Sequence, residues 1–150
     1  MSRLTLAHAS TIVDAALAKG RELSLQPMTV VVLDAGGHPV ALKREDGSGI
    51  LRVEIATGKA WGGLGLGAGS RVLADRVSSG PAGEAFVNSI AAASGGRVVP
   101  VPGGVLLRDR DGTVLGAVGV SGDLSDKDEL CALAGVEAAG LTPDTGAKPA

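Results

Sequence analysis

The residues of this chain able to do chemistry are few, and most stand singly. Residues 58–69 read GKAWGGLGLGAG, which sets Lys59 and the sole tryptophan, Trp61, among six glycines, with Ser70 and Arg71 directly after. A phosphate loop of the Walker type needs its lysine and a hydroxyl residue after the last glycine, and here the lysine comes first. A dinucleotide fingerprint forced onto Gly63, Gly65 and Ala68 would have to follow a strand, whereas the preceding RVEIATGKAW reads as helix. Gly58, Gly62, Gly65 and Gly69 recur every three or four residues, so a continuous helix would gather them into one bare face. Such a face suits close packing, within the subunit or across an oligomer interface, or a ligand with Trp61 as one wall.

Arg44, Asp46 and Lys59 are types that would line a polar pocket: the two cations hold a carboxylate, and Asp46 orients them or moves protons. Glu54 adds a second acid for proton transfer on a small carboxylated or carbonyl metabolite. A salt-bridged link between residues 39–44 and the following helix accounts for the same charges. Ser121, in GVSGD, lacks the GxSxG spacing of a nucleophile elbow and reads more simply as a polar turn closing a strand. Gly103-Gly104 and the glycines around Ser121 would offer backbone N–H groups to an anion or else mark tight turns. His8 and His38 stand far apart with no HxxxH or HExxH spacing, so a built-in metal site is not expected. Asp128 and Glu129 read as first-turn acids favoured by a helix dipole.

The elements that must position these groups follow from periodicity. Residues 6–23 repeat Leu6, Ala9, Val13, Ala16 and Leu17 at helical spacing with Thr5 as cap, and on that projection His8 lies off the apolar stripe. Residues 28–34 (MTVVVLD) and 39–44 (PVALKR) flank an AGGH turn and predict a hairpin. Helices are expected over 50–66, 71–77 and 81–94, the last with proline in its first turn and Gly95-Gly96 as its stop. Three short strands follow at 97–102, 103–108 and 113–120, the last two joined by an Asp-Gly turn. Ser125 is expected to cap a final helix to residue 139, leaving 141–150 as a loose tail beyond a single domain at 1–140. Segregated strands and helices imply an α+β domain with an antiparallel sheet of about five strands.

Composition narrows the function classes. A formal charge of −2, singly scattered Lys and Arg, and two aromatic residues, Trp61 and Phe86, give no footprint for nucleic acid. Cys131 is the one cysteine, and the N-terminal segment carries His8 and Asp14 where a secretory leader would be apolar. A cytoplasmic protein without a membrane span is the expectation.

Three ordered blocks carry a family resemblance: VVVLDAGGHPVALKREDG (residues 30–47), EIATGKA (54–60) and VPGGVLLRDRDGTVLGAVGVSGDLSDKDE (101–129). Together they resemble the haem-degrading, GlcG/HbpS-like domain family over nearly the whole chain. The resemblance implies a profilin-like fold, a homo-oligomer built from dimers and reaching octamers, and haem or a related tetrapyrrole bound between subunits. Under it, His8 becomes a candidate axial ligand, and Lys59, Trp61, Gly103, Gly104 and Ser121 candidate cofactor contacts, with Lys59 or Arg44 on a propionate. The chain departs from the family's pattern at Trp61-Gly62-Gly63 and in having no tyrosine to ligate or stack on haem.

Overall fold

A computed structural model describes residues 3–148. In chain order the elements are α1 (Leu6–Glu22), β1 (Thr29–Asp34), β2 (Pro39–Arg44), α2 (Arg52–Leu66), α3 (Arg71–Ser78), α4 (Pro81–Ala93), β3 (Gly104–Arg108), β4 (Val114–Ser121), α5 (Ser125–Ala138) and β5 (Thr142–Asp144). The strands form one antiparallel sheet in the order β2-β1-β4-β3-β5, the α+β architecture expected.

Alternation along β1 gives the sheet two apolar faces. Val30 and Val32 join Val105, Val118 and Val120 beneath α1 and α5, whose Ile12, Val13, Ala16, Ala132 and Val136 complete the larger core. Val31 and Leu33 face the other way, with Leu106 and Ala117, under Ala56 and Ala60 of α2. Helix α2 lies very close to the sheet because β4 presents no side chain beneath it at Gly119: a Cβ there would run into the Ala56 carbonyl oxygen. Leu73, Val87 and Val98 form a third, smaller cluster between α3, α4 and the segment after α4.

Three expectations are corrected. Residues 97–102 form no strand, since Pro100 and Pro102 have no N–H to give a ladder. They cross α2 as irregular chain, with Val99 N–H donating to the Gly58 carbonyl at 3.3 Å. The fifth strand comes instead from the presumed tail: Thr142–Asp144 pair with β3, and Arg108 clasps Asp144 at 2.8 Å. Ser125 does not cap α5; Leu124 holds the cap position, and Asp128 reaches back to accept the Asp123 N–H at 2.9 Å.

The glycine run is helical through Leu66 and is stopped by Gly67 in the left-handed region at φ 75°. Its bare face is covered from within the chain. A side chain at Gly58 would strike the Arg97 carbonyl and Val99, and one at Gly62 would crowd Val98. Gly65 faces open space, while Gly69 lies beyond the helix against Asp144 and Thr145. Among the described residues no helix is long and apolar enough to cross a membrane.

Candidate functional site

Lys59 leaves α2 on the sheet side and its ammonium is held in the interior. Its Nζ donates to the Val120 carbonyl at 2.9 Å and to Asp128 Oδ2, on the first turn of α5, at 3.0 Å. The two side chains are 2% and 1% exposed. The lysine thus links the layer on one face of the sheet to the layer on the other. It passes Gly103, whose φ of 120° and missing side chain leave room for it, and its own carbonyl abuts Gly104. Burial draws the Lys59 ammonium below its ordinary value even though Asp128 pulls the other way, and burial lifts the Asp128 carboxyl despite Lys59. In both partners the loss of water outweighs the attraction, the usual balance for a buried pair.

A second bridge runs beside the first. Arg71, at the start of α3, grips Glu129 through Nε and one terminal nitrogen (3.0 and 2.9 Å) and reaches Asp126 at 2.8 Å. These bonds, Glu129's before Asp126's, hold the guanidinium pKa above its ordinary value. Arg71→Ala is expected to cost about 1.5–3 kcal/mol in urea denaturation, the range for hydrogen bonds between charged groups, with Arg71→Lys recovering only part because it cannot reproduce the fork. The sequence gives Asp128 a capping-box-like place and both acids a helix-dipole role; their cationic partners lie on α2 and α3, a distance no local pattern spans.

Trp61 sits on the outward side of α2, half buried between the two smaller clusters. The Arg97 guanidinium stacks over its ring at 3.8 Å from the centroid. Together they bound a mostly apolar cleft of about 430 Å³, lined also by Val53, Glu54, Thr57 and Val99. Glu54 and Trp61 are therefore brought together, with Arg97 as a third member that the sequence reading did not single out.

The other expected residues go elsewhere. Arg44, at the end of β2, is exposed and donates to the Ser48 carbonyl at 2.8 Å, and Asp46 is exposed in the loop that follows. With Lys59 committed inside, the pocket of Arg44, Asp46 and Lys59 does not assemble in the chain, nor does the acid–base group that added Glu54. No hairpin-to-α2 salt bridge through Arg44 replaces it among the described residues. Ser121 is buried and accepts from Arg52 Nη1 at 3.1 Å. The Gly104 N–H is taken by Ser70 Oγ at 2.8 Å, and Val120 N–H donates to the Gly103 carbonyl at 3.0 Å. Gly104 thus has no N–H left for an anion. His38 is exposed in its turn, 3.5 Å from Asp34.

His8 differs from its projection. The buried stripe of α1 is Ala9, Ile12, Val13, Ala16 and Gly20, while Leu6 is 65% exposed. His8 is half buried with Nδ1 enclosed and without a hydrogen-bond partner. Its Nε2 makes no bond to the described residues and is the nitrogen open to the outside.

Comparison with known proteins agrees with the fold. A curated relative, the uncharacterized 15.0 kDa protein of the dhaT-dhaS intergenic region of Citrobacter freundii, is 31% identical over 134 residues, covering 88% of this chain and 89% of its own. Among solved structures, a PduOC:haem complex superposes with a TM-score of 0.82 at 24% identity over 94% of this chain and 98% of that one, a likeness of fold. The Klebsiella pneumoniae protein ORFY gives 0.81 at 25% identity over 93% of each chain. The family model for haem-degrading, HbpS-like proteins matches residues 4–137. With nearly the whole chain matched and the sheet order and helix layers accounted for, this protein belongs to the HbpS-like family of haem-degrading proteins.

Proposed function

We propose that the chain binds haem or a related tetrapyrrole through His8, at a place completed by a second subunit. The observation that carries this reading is the His8 ring itself: one nitrogen enclosed, the other open and unbonded, in a chain of a haem-related family. Haem iron takes His, Cys, Met or Tyr from proteins. Tyrosine is absent, Cys131 is buried with its thiol pushed up to about 11 by burial, and Met28 is buried. Among the described residues that leaves the two histidines, of which His38 is exposed in its turn and His8 lies half buried on α1. A bound haem would supply redox chemistry at its iron; the part of His8 is to hold it by Nε2.

One imidazole on a helix surface supplies a ligand but no enclosure for a macrocycle. The α1 and α5 region also exposes apolar side chains, Leu6, Leu124 at 72% and Leu130 at 42%, which favour cover by a second copy over exposure to water. The test is a haemin titration followed at the Soret band, with size-exclusion chromatography with and without haemin. A saturable shift is expected in the wild type and in His38→Ala, with loss in His8→Ala. An unchanged shift in His8→Ala would overturn the assignment.

A further inference from the structure

The cleft beside Trp61 contains two charges that nothing in the chain answers. Both side chains are exposed, and among the described residues that of Arg97 makes no hydrogen bond or ion pair beyond its stacking on Trp61 and that of Glu54 makes neither. The Arg97 backbone is pinned, because its carbonyl lies against side-chain-free Gly58 and the Val99 N–H two residues on binds the Gly58 carbonyl. The guanidinium carbon lies over the indole, and its N–H donors are unspent among the described residues. A guanidinium with free donors matches a carboxylate, which takes two parallel hydrogen bonds from it.

The walls say what the carboxylate should be attached to. Val53, Val99 and the indole offer apolar surface in a cleft of about 430 Å³, a volume that accommodates a fused pair of rings. Glu54 stands in the same lining and repels a second anion while accepting from a neutral donor. No imidazole, thiolate or thioether lines this cleft, so it lacks the ligand types haem iron takes.

We infer that this cleft is a binding site for a planar aromatic monocarboxylate, its ring lying along Trp61 and its carboxylate on the Arg97 guanidinium. The site is separate from His8 and does not depend on haem.

Trp61 is the sole tryptophan and there is no tyrosine, so the protein's intrinsic emission reports this one cleft. The probe is 2-naphthoate, with 2-naphthamide as its neutral match and 2,6-naphthalenedicarboxylate as the dianion. Binding is followed by Trp61 emission and by calorimetry on the haem-free full chain. Expected is a saturable one-to-one response to naphthoate, weaker by about tenfold or more for naphthamide and for Arg97→Ala, as loss of a charge-assisted contact implies. Glu54→Gln should bind the dianion more tightly than the wild type does, and His8→Ala should bind naphthoate unchanged. Far-ultraviolet circular dichroism of Arg97→Ala shows whether it keeps the fold, and Arg97→Gln serves as the second variant. No saturable response in the wild type, equal affinity for naphthamide, or unaltered binding in both Arg97 variants would overturn the inference.

Discussion

Lys59→Met should destabilise the fold by about 3–5 kcal/mol, the cost of leaving a buried charge without its partner. Methionine fills much of the channel past Gly103 that the lysine stem occupies, so the loss measures charge rather than volume. Asp128 would remain 1% exposed, still accepting the Asp123 N–H but with no cation. Its carboxyl, already lifted by burial, rises further when the ammonium is removed. A folded-state pKa above the unfolded one means that the native variant holds a proton the unfolded chain has given up. Its relative stability is therefore recovered as pH falls through the folded value towards about 4, the unfolded carboxyl range. Urea denaturation of variant and wild type at several pH values should show the gap closing on the acid side. A gap independent of pH would indicate a packing defect instead. The pair Lys59→Met with Asp128→Asn should regain much of the loss, because both partners are dominated by desolvation and the neutral amide oxygen still accepts the Asp123 N–H.

Gly119→Val is the second large effect, about 3 kcal/mol at the top of the overpacking range. The obstacle is the Ala56 carbonyl on the α2 backbone, with the Ala60 methyl at 3.2 Å, and neither can swing aside as a long side chain would. Helix α2 would have to lift off β4, loosening Val31, Leu33 and Leu106 beneath it. Gly65→Ala is the contrasting case on the same helix: its new methyl meets nothing within 4 Å, and it should gain up to about 1 kcal/mol from helix propensity. Chemical denaturation of both variants checks the pair, and similar losses at the two positions would contradict this account of how closely α2 approaches the sheet.

Helices and the first hairpin were legible because their signals are local. The α1 and α2 stripes, the hairpin turn and the proline opening α4 each act within one or two turns of chain. Residues 97–102 misled because valine-rich sequence looks like strand until its prolines are weighed against the missing donors. Thr142–Asp144 offered only three residues, one of them proline, and became a strand through Arg108. The same limit hid the site: Lys59 looked like a pocket cation because lysines seldom lie inside, and only the approach of α5 shows where its charge goes. Arg97 had no motif at all; its meaning comes from the indole that the crossing segment brings it to.

The outer strands of the sheet also bear on how copies of the chain can meet. On one side β5 is three residues long with Pro143 at its centre, too short and too poor in N–H donors to template another strand. On the other, β2 begins at Pro39 and ends in the charged pair Lys43 and Arg44, both exposed. Neither border invites β-augmentation, so a sheet continued from one copy into the next is disfavoured at both ends. Self-association is left to helix surfaces and loops, where side chains rather than backbone ladders decide which partner is accepted.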